Sequence, residues 1–204
     1  MKNPPIIDPL MVEPPSAVLA SRRVAVLAGD GLDEKQLEAI RRALEIDGAQ
    51  VHVVSNRSGA LQGMAGGQVP VDHHWLDMPS VMFDAVYIPG GSDSVATVQA
   101  DPDGLHFMRE AYEHGKSVAA TGQGVELLKE VGVPLPVDLD DMGTTGVVTD
   151  QHEQPLAQVA EQFIAAIIKD RHWRRNEEID CAVDVSSVLA LPGGHQGSVG
   201  LGPM

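Results

Sequence analysis

Three short segments of this 204-residue chain hold most of the side chains that could do chemistry: 29–34 (GDGLDE), 89–94 (PGGSDS) and 121–124 (TGQG). Each follows a short apolar run, and in parallel α/β sheets function gathers at the carboxyl ends of strands. The first segment partly imitates a dinucleotide fingerprint, since Gly29-x-Gly31 leaves a strand and opens a helix. Its third glycine is absent, Glu34 stands in its place, and Asp30, Asp33 and Glu34 set three negative charges where a pyrophosphate would sit. That disfavours phosphate. The simpler reading is that these acids complement the positive start of the following helix.

Other reactive groups are sparse. Ser92 sits in the second segment with no histidine nearby in sequence, and such hydroxyls usually bond local backbone. Cys181 is the one cysteine, which excludes an intramolecular disulfide and four-cysteine zinc sites; it reads as an incidental thiol. The eight histidines show no metal spacing: His73 and His74 are consecutive, and His106 and His114 are eight apart on a helix. Asp138, Asp140 and Asp141 lack the spaced carboxylates and closing glutamate of a calcium loop, so a solvated acidic turn is expected.

The elements that must position these segments follow from periodicity. Apolar runs at Val24–Ala28, Val51–Ser55, Ala85–Ile88, Ser117–Thr121 and Gly146–Thr149 read as strands, the first buried on both faces. Helical stripes predict helices over 33–47 (Leu37, Ile40, Leu44), 103–114 (Leu105, Met108, Tyr112) and 154–170 (Leu156, Val159, Phe163, Ile167), with another after Gly124. Residues 60–71 suggest a small hairpin around Gly66-Gly67. Lys169, Arg171, Arg174 and Arg175 cluster after the last helix, where its dipole favours cations. Alternating strands and helices predict a flavodoxin-like, doubly wound α/β domain over 22–175, its sheet mostly parallel with helices on both faces. A proline-rich linker or strap (1–21) precedes it, and a Gly/Ser-rich tail (176–204), expected to be mobile or a surface strap, follows.

Charge narrows the partners. With 29 acidic and 14 basic residues the chain carries −15, which repels phosphate backbones and anionic lipid; neither nucleic acid nor a membrane is expected. No apolar run approaches the roughly 20 residues of a membrane span. The expectation is a soluble protein of a reducing compartment, the cytoplasm.

The segment Lys116-Ser117-Val118-Ala119-Ala120-Thr121-Gly122-Gln123-Gly124 resembles the strand-to-helix nucleophile elbow of the PfpI/ThiJ superfamily, the class I glutamine-amidotransferase-like fold. That pattern normally reads K-x-V-A-A-x-C-H-G. Ile88-Pro89-Gly90-Gly91 is similar to the glycine-rich loop of its oxyanion pocket, and Asp33 lies where the family's acidic residue approaches the cysteine. Here Gly122 replaces the cysteine and Gln123 the histidine. Glycine offers no nucleophile and glutamine no general base, so no catalytic residue is assigned. Thr121 stands one residue too early and reads as a buried strand threonine.

A closer resemblance links 107–128, the preceding IPGGSDS and 147–173 to the C-terminal domain of large-subunit haem catalases, including Arg171-His172-Trp173 after the last helix. Pro15-Ser16-Ala17-Val18-Leu19 before Arg22-Arg23-Val24 resembles the linker to the haem domain. The resemblance implies a non-catalytic accessory domain that stabilises or gates a haem catalase core, or acts in a chaperone-like way, with that core or a second copy of itself as partner. Hydrogen-peroxide dismutation would reside in that core. Neither Tyr87 nor Tyr112 lies in a proximal-ligand motif, so no cofactor is expected in this chain and haem only in the partner domain. Asp33, Gly90, Gly91, Ser92, Thr121, Gly122, Gln123 and Gly124 would form a vestigial pocket. Two alternatives remain: a small-molecule binding module taking a neutral or cationic ligand beside Asp33, or a hydrolase- or glyoxalase-type enzyme with Asp33 as base and amides near Gly91 and Gln123 as oxyanion donors.

Overall fold

A computed structural model describes residues 19–150 and 154–173. Residues 1–18, the tail 176–204 with Cys181, and Arg174 and Arg175 lie outside the described residues.

Six strands form one parallel sheet: β1 (Arg23–Leu27), β2 (Gln50–Ser55), β5 (His73–His74), β6 (Ala85–Ile88), β7 (Ser117–Ala120) and β8 (Val147–Thr149). Their order is β5-β2-β1-β6-β7-β8, and every pairing is parallel. The hairpin β3 (Ala60–Gln62) and β4 (Gln68–Pro70) stands apart and is antiparallel. The helices are α1 (Glu34–Ile46), α2 (Ser92–Gln99), α3 (Pro102–Glu113), α4 (Gly124–Glu130), α5 (Leu139–Thr145) and α6 (Leu156–Ile168).

The two-residue period of a strand divides the core. Val24 and Val26 of β1, with Tyr87 and Ala119, join Leu37, Ile40 and Leu44 of α1 and Val159, Phe163 and Ile167 of α6 on one face. Ala25 and Leu27, with Val86, Ile88, Val118 and Ala120, meet Val95 and Val98 of α2, Phe107 and Met108 of α3 and Leu127 and Leu128 of α4 on the other. Full burial contributes roughly 1.5–3 kcal/mol per large aliphatic side chain, so both stripes are strongly specified.

Elements absent from the sequence expectation are short and weakly patterned. In α2, Ser92, Asp93, Ser94 and Thr97 are poor helix formers; the helix is held by Val95 and Val98 and by Ser94, whose hydroxyl accepts from Gly29 N at 2.8 Å. In α5, Asp138 caps the helix through Asp141 N at 2.9 Å, and Met142 is its one buried side chain. Its acids, read as a turn, open a helix instead. His73 and His74 make a two-residue edge strand, where His74 Nδ1 accepts from Leu76 N at 3.1 Å.

Candidate functional site

The pairing of β6 with β7 (Tyr87↔Ala119, Ile88↔Ala120) sets the Pro89 and Thr121 segments side by side at the carboxyl edge. Thr121 N donates to Ile88 O at 3.0 Å, and Asp33 N to Gly90 O at 2.8 Å, which brings in the segment after β1. The three glycine-rich segments therefore converge. Gly31, Gly91 and Gly122 there all have positive φ, the region that favours glycine. Gly91 has φ 115°, and a Cβ on it would lie 2.1 Å from Gly31 O. Gly122, at the apex, has φ 53°.

The amides around the bend are occupied by oxygens of the chain itself. Gly90 N donates to Gln36 Oε1 at 2.7 Å, Gly91 N to Gln123 Oε1 at 3.0 Å, and Gly122 N to Asp150 Oδ2 at 2.7 Å. Gln36 Oε1 also accepts from the Thr121 hydroxyl at 2.7 Å. Having donated its proton there, Thr121 Oγ1 is the acceptor for Tyr87 OH, 2.8 Å away. The result is a relay from Tyr87 through Thr121 to Gln36, with Tyr87 and Thr121 fully buried.

Several expected residues play other parts. The Asp33 carboxylate caps α1, with Oδ1 accepting from Lys35 N at 3.0 Å and Gln36 N at 3.2 Å. The side chain that reaches the bend is Gln36, whose Nε2 lies 3.2 Å from where a Cβ on Gly122 would be. Space left by the missing cysteine is thus taken up by an amide. The other acids of the first segment hold the hairpin: Asp30 Oδ1 accepts from Gln62 N at 2.8 Å and Glu34 Oε2 from Ala65 N at 2.7 Å. Ser92 is exposed as the first residue of α2, not part of a loop, and Gly124 opens α4.

Gln36, Asp150 and Tyr87 were missing from the sequence-derived site. Asp150 was within reach of sequence reasoning. It directly follows β8, and the register Ala120↔Thr149 sets it beside Thr121 and Gly122. Gln36 follows the cap by three residues, within the first turn of α1, which starts at this edge.

The chemistry available is narrow. An oxyanion pocket needs preorganised N–H groups aimed at the reacting oxygen, and those of Gly90, Gly91 and Gly122 already have acceptors. Tyrosine could ligate a haem iron as the phenolate, but burial pushes the Tyr87 pKa far above its ordinary value, and its hydroxyl donates to Thr121. Tyr112 is buried on α3 within the core. These residues do not fit a haem. Among the described residues no three His, Cys, Asp or Glu side chains group to hold a metal, and no helix is long and apolar enough to cross a membrane.

Comparison with solved structures places the fold among DJ-1/ThiJ/PfpI proteins. DJ-1 of Toxoplasma gondii in oxidised form superposes with TM-score 0.60 at 16% identity, over 84% of this chain and all of that one. A two-domain protein of Anabaena variabilis with DJ-1/ThiJ/PfpI-like and ferritin-like domains gives 0.54 at 25% identity, over 63% of this chain and 39% of that one. By sequence, Catalase HPII of Mycobacterium avium is 39% identical over 166 residues, 78% of this chain and 23% of that protein. Catalase-2 of Bacillus subtilis is 35% identical over 159 residues, 76% of this chain and 21% of that protein. The chain thus spans about a fifth to a quarter of the length of these relatives. The family model for the C-terminal domain found in long catalases matches residues 20–177. With the flavodoxin-like sheet, the cysteine-free bend and this match in agreement, the chain belongs to the family of C-terminal domains of long catalases.

Proposed function

We propose that this chain is a non-catalytic accessory domain that stabilises a haem catalase core. One observation carries the non-catalytic part: at the strand-end bend, three amides that could polarise a substrate are satisfied internally, around a residue with no side chain. A hydrogen-bonded network of this kind stiffens the bend and takes up those three amides. The stabilising part rests on the family and on the surface. The relatives of which it matches a fraction are catalases, and large apolar side chains stay exposed outside the core, among them Leu76, Val81, Met82 and Val137.

The test is to mix the purified chain with a haem-domain tetramer lacking its own C-terminal domain. Co-migration on size exclusion and slower heat inactivation of peroxide decomposition are the expected results. Separate elution with unchanged inactivation kinetics would remove the proposal. Peroxide kinetics on the same mixture read gating: a raised KM with unchanged kcat places the domain over the approach to the haem.

A further inference from the structure

At the opposite edge of the sheet, where β7 and β8 begin, the end of α6 turns back on itself. Asp170 takes a left-handed conformation (φ 69°), and His172 N then donates to Gly115 O at 2.7 Å. Gly143, Thr144, Lys169, Arg171, His172 and Trp173 line a cleft of about 510 Å³ there. The helix dipole accounts for Lys169, whose Nζ donates to Gly143 O at 2.9 Å and has two further protons. It does not account for Arg171. Its Nη1 is buried and has no hydrogen-bond partner among the described residues.

The nearby charges sharpen the anomaly. Asp170, the one acid in the segment 169–173, is turned away onto Arg22, with Arg22 Nη1 2.9 Å from Asp170 Oδ1. Arg171 also acts on buried Lys116, which donates to Ser80 O and whose pKa falls to about 8, first through burial and second through the Arg171 charge, with Glu110 and Asp84 opposing. Two cations are thus held near each other in a chain of net charge −15. Such an arrangement suits an anion that brings its own oxygens. Trp173, 58% exposed, adds an aromatic face on the same cleft.

We propose that this cleft binds a small molecule carrying a phosphate or carboxylate on a planar ring, with the oxyanion on Arg171 and Lys169 and the ring on Trp173. The cleft includes neither the strand-end bend nor Leu76, Val81, Met82 and Val137, so the site is independent of the accessory role.

Tryptophan fluorescence of the full chain reads it, because Trp173 is exposed and Trp75, the other tryptophan, is buried. ADP and benzene-1,3,5-tricarboxylate serve as the phosphate and carboxylate probes, and adenosine as the uncharged control. Saturable quenching by at least one anion and none by adenosine is expected, and the tighter anion identifies the source. Lys169→Gln and Arg171→Gln should each weaken it by about tenfold or more, the range for a charge-assisted hydrogen bond. Lys169 is exposed, so Lys169→Gln keeps the test valid if Arg171→Gln fails to fold. No saturation by about 10 mM anion at low salt overturns the proposal, as does equal affinity in Lys169→Gln. So does binding that appears only after Glu177→Gln, Glu178→Gln and Asp180→Asn are combined, which would assign the cleft to the chain's own acidic segment.

Discussion

The two edges of the parallel sheet solve the same problem in opposite ways. At the carboxyl edge, backbone donors of the bend meet oxygens from Gln36, Gln123 and Asp150, each within 3.0 Å. At the amino edge, Arg171 keeps a buried nitrogen with no hydrogen-bond acceptor among the described residues, and the buried Lys116 ammonium stands near it. In the PfpI/ThiJ superfamily, chemistry is expected at the first edge. Here the three bend amides at that edge are taken up by the chain's own side chains, while at the second edge Arg171 Nη1 has no hydrogen-bond partner among the described residues. A fold family therefore says where a site can be built, and the hydrogen-bond inventory says whether this chain still has one.

The largest way to break the contrast is at Gly91. Gly91→Ala drives a methyl into Gly31 O, an immovable backbone atom, in a conformation already costly for an L residue. A loss of more than about 3 kcal/mol is expected in urea unfolding. Gly66→Ala shares a positive φ but meets nothing within 4 Å, and should lose only about 1 kcal/mol. Equal losses would mean that the three segments are not tightly joined at this edge.

At the other edge, Lys116→Met probes the buried cation. The wild-type ammonium has a pKa lowered from 10.5 to about 8, with burial first, Arg171 second, and Glu110 and Asp84 opposing. Between those two values the unfolded chain binds the proton more tightly than the folded one, so folding gains stability as pH rises from 8 to 10.5. Below 8 both states hold the proton and the whole penalty applies. The stability of wild type relative to Lys116→Met should therefore rise by on the order of 2 kcal/mol from pH 7.5 to 10.5 in paired urea titrations. A difference independent of pH would show that Lys116 carries no such penalty.

The sheet was legible because buried strands and amphipathic helices obey strong periodicities, as in Val24–Ala28 and in the stripe Leu37, Ile40, Leu44. α2 and α5 escaped detection because their residues favour caps and turns and only tertiary contacts make them helical. The site was half legible. Glycines at 91 and 122 mark bends in any reading, and Gln123 lies in the motif itself, whereas the other two acceptors that close it come from α1 and from the end of β8, far away in sequence. Asp33 follows the simpler of its two expectations: a carboxylate at the start of a helix has free amides within two and three residues, and its Oδ1 caps them.

The smallest expected effect comes from restoring the missing thiol. Gly122→Cys in a Cys181→Ser background places a Cβ 3.2 Å from Gln36 Nε2 in a left-handed conformation, a loss of about 1–2 kcal/mol. Reactivity is the informative readout. A thiol becomes nucleophilic when donors or cations lower its pKa, and around this bend the Gly90, Gly91 and Gly122 amides already have acceptors, with the Asp150 carboxylate adjacent. Alkylation by iodoacetamide at pH 7.5 should therefore run no faster than about threefold above that of an ordinary exposed thiol. Combining Gly122→Cys with Gln36→Glu should slow it further, because a second carboxylate beside the sulfur disfavours the thiolate. A rate tenfold or more above ordinary would show that the edge still holds a donor for developing negative charge, and the self-satisfied reading of the bend would fall with it.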